Sequence, residues 1–181
     1  MSKLGLTLTV TQINSPFGFL VCGFTPQGLA YLQFQSTVSE YLSVQEFANK
    51  HDLILSYKDQ ELADELEQFI PAFLSEGKAF EGELDLYGTE FQKLVWTSLQ
   101  HISHGQTITY AEQSKSLGKP KAIRAIASAN GANPIAILIP CHRVIGSDGS
   151  LTGYASGLDL KRKLLEMERA IRAEPQQGML F

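Results

Sequence analysis

The chain has 181 residues and 19.9 kDa, is 44% hydrophobic and 19% charged, and its mean hydropathy is −0.05. That balance supports a packed core and excludes a wholly disordered or fibrous chain. Its two cysteines, Cys22 and Cys141, exclude a disulfide scaffold, and no run of 18 uncharged apolar residues predicts a membrane span. The first ten residues, MSKLGLTLTV, lack an apolar stretch followed by a small-residue cleavage site, so no secretory signal and a reducing, cytoplasmic setting are expected. A cluster of four Cys and His ligands is missing, so no metal is predicted. The net charge of −4 conceals an asymmetry. Residues 1–87 carry 4 Lys+Arg against 12 Asp+Glu, or −8, and residues 88–181 carry 11 against 7, or +4.

The first elements read as strands. Leu6, Leu8 and Val10 alternate with Thr7, Thr9 and Thr11, and two further apolar runs follow the turn signals Asn14-Ser15-Pro16 and Thr25-Pro26-Gln27-Gly28. A three-stranded meander is predicted. Ser39 caps a helix through Phe47, and Asp59 caps a second carrying Leu62, Leu66, Phe69 and Ile70, which Pro71 is expected to kink or shorten. Residues 75–89 read as a linker, dividing an α/β part, 1–87, from a mainly α part, 88–181. In the second part Thr89 opens a helix through Ile102, ended by His104-Gly105. Thr109 caps a helix from Tyr110 to Leu117. Gly118-Lys119-Pro120 turns the chain into a helix from Lys121 to Asn130, and the pair makes a helix-turn-helix candidate. Ile135–Ile139 is a short apolar run, residues 146–157 form a Gly-rich loop, and a last amphipathic helix runs from Leu158 to Ala173. His101-x-x-His104 has a metal-like spacing but reads as a helix end.

The chemistry concentrates in Ile139-Pro140-Cys141-His142-Arg143-Val144. A thiolate, not a thiol, is the nucleophile, and a neighbouring base or cation raises its population. Taken alone, a cysteine closing an apolar run is a small hydrophobe, and Cys22, in a strand with no basic neighbour, keeps that reading.

Residues 139–144 resemble the active-site hexapeptide of the O6-alkylguanine-DNA alkyltransferases. Further blocks resemble that family in order: Gly88-Thr89-Glu90-Phe91-Gln92, Thr109-Tyr110-Ala111-Glu112, Pro120-Lys121-Ala122, Gly131-Ala132-Asn133-Pro134 and Thr152-Gly153-Tyr154. The resemblance covers about residues 88–170. It implies a ribonuclease-H-like small sheet with helices in the N-terminal part. It also implies a suicide repair reaction without a cofactor, in which the O6-alkyl group of a flipped-out guanine, with O4-alkylthymine as a further candidate substrate, passes to Cys141. His142 would be the base acting through a water, and Glu168 would orient it. Tyr110 would protonate the departing guanine. Arg124 would fill the gap left by the flipped base, Asn133 would brace the active-site turn, Tyr154 would line the pocket and Ser156 would stand at its mouth. Arg143 reads as structural. Lys121, Ala122, Ala125 and Ser128 would meet double-stranded DNA in the minor groove, where small side chains suit a protein that scans without reading sequence. Some relatives hold zinc in the N-terminal part; with Cys22 and His51 alone there, none is expected here. A small residue at 156 leaves the mouth open to larger alkyl groups.

The alternative within the same resemblance is a protein that binds alkyl lesions without reacting and signals to another pathway; such relatives replace the cysteine, which is present here. A thiol hydrolase and a plain helix-turn-helix regulator fit less well. The tail from about residue 174 ends in apolar residues, and Gln177, Leu180 and Phe181 resemble peptides that dock on bacterial replication sliding clamps. A monomer is expected.

Overall fold

A computed structural model describes residues 5–35, 39–57 and 61–171, with the side chains of 39–42, 61 and 62 left aside. The predicted meander is present as β1 (Thr7–Ser15), β2 (Gly18–Thr25) and β3 (Gly28–Gln35), paired antiparallel in sequence order. A strand the sequence reading missed, β4 (Ile54–Tyr57), pairs parallel with β1, giving the order β3-β2-β1-β4. It is four residues long, too short for a clear alternation.

The period-two pattern buries the sheet on both faces. Leu8, Val10, Val21 and Tyr31 pack with Val44 and Ala48 of α1 (Ser39–Lys50). Ile13, Leu20, Cys22, Leu32 and Phe34 pack with Leu66, Ile70 and Leu74 of α2 (Glu61–Glu76). The expected cap of α2, Asp59, lies outside the described residues. Pro71 neither ends nor shortens α2, which runs on to Glu76. Apolar anchors on both sides of the proline, Ile70 and Leu74, are fully buried and offset the missing backbone donor.

The cluster on the α2 face continues without a break into Trp96, Leu99, Ile135, Ile139 and Leu164. The segment read as a linker lies along the start of β3: Leu29 N donates to Glu83 O (3.0 Å) and Asp85 N to Leu29 O (2.9 Å). Beyond it, α3 (Glu90–Leu99) opens with a capping box between Thr89 and Gln92. It ends a turn before the predicted Ile102, because tighter i→i+3 bonds take over from Gln100 to Ile102. His104, once a metal-spaced candidate, bonds the Leu74 carbonyl at 2.8 Å.

Next come β5 (Ile108–Thr109), α4 (Tyr110–Ser116) and α5 (Ile123–Gly131), which starts two residues later than predicted. A one-turn 3-10 helix, Cys141–Arg143, leads into β6 (Val144–Ile145), which pairs parallel with β5. The last helix, α6, spans Leu158–Met167 rather than running to Ala173. Two buried amides and a half-buried hydroxyl lock α3, α4 and α5 together. Gln113 and Asn130 exchange side-chain hydrogen bonds (2.8 and 3.3 Å), and Gln113 also donates to Ser98 Oγ (3.1 Å). Trp96 Nε1 adds a bond to Ala129 O at 2.7 Å. These pairings satisfy groups that would otherwise be buried at a cost.

Candidate active site

The site is built on the turn between α5 and the 3-10 helix. Ile137 sits there at φ 69°, a left-handed conformation that costs a β-branched residue about 1–3 kcal/mol. Asn133 holds the turn in place. Its Nδ2 donates to Ile139 O (2.8 Å) and to Cys141 Sγ (3.4 Å), while Oδ1 accepts from Ile135 N (3.0 Å). One side chain thus bonds both the backbone of the turn and the sulfur. The sheet is bolted to the same turn. Leu32 N donates to Pro134 O, Ala136 N donates to Leu32 O, and Gln33 Nε2 donates to Asn133 O.

Behind Cys141 lies a buried charge network. His142 Nε2 is 3.0 Å from Glu168 Oε1. Arg143 grips the same carboxylate with two bonds, Nε to Oε2 (2.9 Å) and Nη2 to Oε1 (2.8 Å), and its Nη1 donates to Ile102 O (2.6 Å). Glu168 closes α6 as its C-cap, turned into the core rather than onto the surface. Burial pushes its carboxyl up, but the hydrogen bonds from His142 and Arg143 and the charge of Arg143 outweigh this and hold it at about 2. Burial lowers the pKa of His142, against the pull of Glu168, so the imidazole is neutral at pH 7. An ionised carboxylate only accepts hydrogen bonds, so Nε2 carries the proton and Nδ1 presents a bare lone pair. That Nδ1 is buried and has no hydrogen-bond partner among the described residues.

Cys141, Asn133, Tyr154 and Ser156 line one narrow cleft, with Asn130 and Gly131 from the end of α5 on its wall. Burial raises the Cys141 pKa, and the Asn133 amide and the positive charge of Lys161 draw it part of the way back. The sulfur therefore rests as a thiol. Tyr110 Oη lies 3.4 and 3.3 Å from the carbonyls of Thr152 and Gly153. Gly153, at φ 55°, is required twice, since a Cβ there would also stand 2.9 Å from that hydroxyl. Burial, then the charge of Cys141, raises the Tyr110 pKa, so it keeps its proton. The Tyr154 hydroxyl is buried without a partner among the described residues.

Lys161 was missed in the sequence. It is fully buried, and its ammonium donates to Val144 O and Thr152 O. Burial lowers its pKa to about 8, while the negative charge of Cys141 favours the cation. In sequence it reads as part of the solvated run Lys161-Arg162-Lys163. Its spacing from Leu164 and Leu165, three and four residues on, places it on the apolar face instead.

The remaining predicted residues stand outside the cleft. Arg124, Ala125 and Ser128 are on the solvent face of α5, Lys121 is exposed before it, and Ala122 is its half-buried N-cap. Lys115 and Lys119 are exposed beside them. Cys22 is buried in β2, donates to Thr11 O at 3.5 Å, and is pushed up to about 12 by burial. Gln177, Leu180 and Phe181 lie outside the described residues.

The chain is similar to proteins already known. A family described as "6-O-methylguanine DNA methyltransferase, DNA binding domain" matches residues 90–170. A methylated-DNA–protein-cysteine methyltransferase of Methanosarcina acetivorans is 42% identical over 155 residues, covering 86% of this chain and 94% of its own. Among solved structures, the Mycobacterium tuberculosis O6-methylguanine methyltransferase superposes with a TM-score of 0.74 at 37% identity, covering 93% of this chain and 96% of that one. The Mycobacterium tuberculosis OGT solved in complex with DNA gives 0.72 at 38% identity, covering 88% and 91%. With the relatedness spanning both the sheet and the reactive turn, the chain belongs to the methylated-DNA–protein-cysteine methyltransferase family.

Proposed function

We propose that this protein repairs double-stranded DNA by moving the alkyl group from O6 of a damaged guanine to Cys141 Sγ, once per molecule. The observation that carries the reading is a thiol lining a narrow cleft, followed in the chain by a buried neutral histidine that is paired with a buried carboxylate. The thiol proton passes to the bare Nδ1 of His142 through a water that this orphaned lone pair would hold. The new S–C bond forms as the C–O6 bond breaks. Tyr110, protonated at rest, gives its proton to the guanine anion as it leaves and is reprotonated by the His142 imidazolium through solvent, so the net change is one thiol proton moved to guanine and one alkyl group moved to sulfur. Glu168 holds the His142 tautomer and supports the imidazolium that forms. No step calls for a cofactor.

The alkylated base must be flipped out to reach the cleft. We read α4–α5 as a helix-turn-helix, supported by two packed helices joined through Gly118 at φ 66°. Lys121, Ala122, Ala125 and Ser128 face the minor groove, Arg124 fills the gap in the stack, and Tyr154 and Ser156 hold the flipped base. The stripe leads to the cleft directly, because the end of α5 forms part of its wall. The division into a structural part, 1–87, and a reactive part, 88–181, follows this reading. The ribonuclease-H-like character of the first rests on three antiparallel strands followed by a parallel β4. The protein works as a monomer, in the cytoplasm with the chromosome; no helix among the described residues is long and apolar enough to cross a membrane. The tail residues Gln177, Leu180 and Phe181 dock on a replication sliding clamp, and equal recovery of full-length protein and residues 1–174 on immobilised clamp removes that part.

The test of the main reading is intact mass after mixing with an oligonucleotide carrying one O6-methylguanine. One methylene is gained per protein, mapping to Cys141. Tight binding without a mass gain leaves lesion sensing in its place.

A further inference from the structure

A cavity of about 320 Å³ adjoins the reactive turn and shares no lining residue with the cleft of Cys141. The turn supplies Leu138, Pro140 and Arg143 to it, and the segment after α2 supplies Lys78 and Phe80. Arg143 is 4% exposed, and two further lining residues fix its guanidinium: it lies 5.6 Å from the centre of the Phe73 ring and donates from Nη1 to Ile102 O. A guanidinium carries five N–H groups. Here Nε, Nη1 and Nη2 each make one bond, so each terminal nitrogen keeps one N–H without an acceptor among the described residues. Leaving such a charged donor unmet inside a protein is costly. Gln100 and Ser103 add an amide and a hydroxyl to the lining. No Asp or Glu lines the cavity among the described residues, although residues 1–87 carry 4 Lys+Arg against 12 Asp+Glu. The neighbouring cavity, which shares Lys78 and Phe80, is lined by Glu65, Glu81 and Glu83.

We propose that this cavity binds a small organic oxyanion, one carboxylate or phosphate group on an apolar body, with Arg143 and Lys78 taking the charge. The two spare N–H groups of Arg143 match two oxygens of one such group. Glu168 sits on the Nε edge of the guanidinium with both its oxygens already bonded, so the anion meets donors rather than a free carboxylate. Phe73, Phe80, Leu84 and Leu138 give the body an apolar wall. The volume lies at the lower end of the range for small-molecule sites, enough for a single-ring compound and more than inorganic phosphate fills. An occupant touches Lys78 and Phe80 on one side and Pro140 and Arg143 on the other, so its binding energy adds to the stability of the folded chain.

The test titrates the full chain with phenyl phosphate, benzoate, inorganic phosphate and phenol. NMR follows the Arg143 Nε–H and the Gln100 side-chain amide, and the thermal midpoint is read beside them. Phenyl phosphate or benzoate should move both signals to saturation at one per protein, with a dissociation constant of about 1 mM, and raise the midpoint. The tighter of the two identifies the head group. Inorganic phosphate, which leaves the apolar wall unfilled, should bind at least about threefold more weakly, and phenol should leave the Arg143 signal in place. Lys78→Glu, an exposed change that leaves Arg143 and Glu168 as they are, should weaken the tighter ligand by about tenfold. Lys121→Glu, on the surface read as DNA-binding, should weaken it by less than about twofold. An Arg143 signal that neither aromatic anion moves overturns the site, and the spare N–H groups then meet only water. Phenol moving that signal as far as the anions do overturns it as well. So does a midpoint shift that Lys121→Glu abolishes and Lys78→Glu does not, which assigns the anion to the DNA-binding surface.

Discussion

The molecule holds two cysteines in two regions that look alike by composition and differ in chemistry. Cys22 follows Leu20 and Val21 in β2; Cys141 follows Ile139 and Pro140 in the reactive turn. Burial raises the pKa of both thiols. Burial therefore does not distinguish a reactive cysteine from an inert one. The difference lies in what else has been placed within reach. Cys22 has a backbone carbonyl and the distant negative charge of Glu67, which raises its pKa further. Cys141 has an amide donor, a buried ammonium and a histidine whose free nitrogen is a base. The reactive region bears the cost of strain at Ile137 and of buried charge to assemble those groups, whereas among the described residues the sheet region buries no charged side chain in its core.

The strongest way to break the comparison is to exchange the thiols' roles by mutation. Cys141→Ser should abolish the mass gain from an O6-methylguanine oligonucleotide, and Cys22→Ser should leave its stoichiometry at one. Uptake that survives Cys141→Ser, or stops with Cys22→Ser, reverses the assignment. Next in size is Glu168→Gln. The amide cannot accept both the His142 and Arg143 bonds as an anion, so the Arg143 charge is left buried without its partner. A loss of about 3–5 kcal/mol in urea denaturation is expected, since breaking one side of a buried pair costs that much. Transfer by the variant that remains folded should fall by about 10²–10⁴-fold, because the His142 tautomer is no longer fixed. A variant of unchanged stability removes the network from the account.

The two regions were also unequally legible in the sequence. The meander could be read from alternation and turn residues, because each signal is local. The parallel β4 could not, since its partner lies 47 residues away and four residues carry little period. Cys141, His142 and Asn133 were legible through the blocks that resemble the family. Lys161 and the second grip of Arg143 on Glu168 were not. A charged residue in a run of charges reads as solvated, and what receives the Lys161 ammonium is a pair of carbonyls, from β6 and from the loop after it, that no local pattern announces. The full depth of α6 was overestimated for a related reason. Its amphipathic pattern continues past Met167, but Arg169 turns left-handed at φ 58° after Glu168, whose carboxylate is held by His142 and Arg143. The 20 Å³ of space at the sulfur was likewise invisible until the loop carrying Tyr154 was in place.

Lys161 sharpens the contrast further through pH. Its pKa falls to about 8 in the folded protein, from an ordinary value of 10.5. Between those values the unfolded chain binds a proton that the folded chain does not. This group therefore makes stability rise as pH climbs from 8 towards 10.5, and below 8 its full burial penalty remains. Lys161→Met should remove that rise, read as the difference in urea midpoints between about pH 7.5 and about pH 10. The same variant should transfer alkyl groups more slowly at neutral pH, because the cation that draws down the Cys141 pKa is gone. A wild type and a Met variant with parallel pH profiles would contradict the buried-cation account.

The smallest effect comes from truncating each thiol to alanine, and it runs in the opposite sense to the first test. Cys22 is completely buried and packs against Leu20, Leu32 and their neighbours on the α2 face of the sheet. Losing its sulfur leaves a small cavity and one weak S–H···O bond unmade, so Cys22→Ala should cost about 1 kcal/mol in urea denaturation. Cys141 lines an open cleft and is partly exposed, so solvent can fill the space its sulfur leaves. Cys141→Ala should therefore cost less than Cys22→Ala, while destroying the activity that Cys22→Ala preserves. If Cys141→Ala proves the more destabilising of the two, its sulfur is a packing element of the turn, and the separation between a thiol kept for folding and a thiol kept for chemistry does not hold.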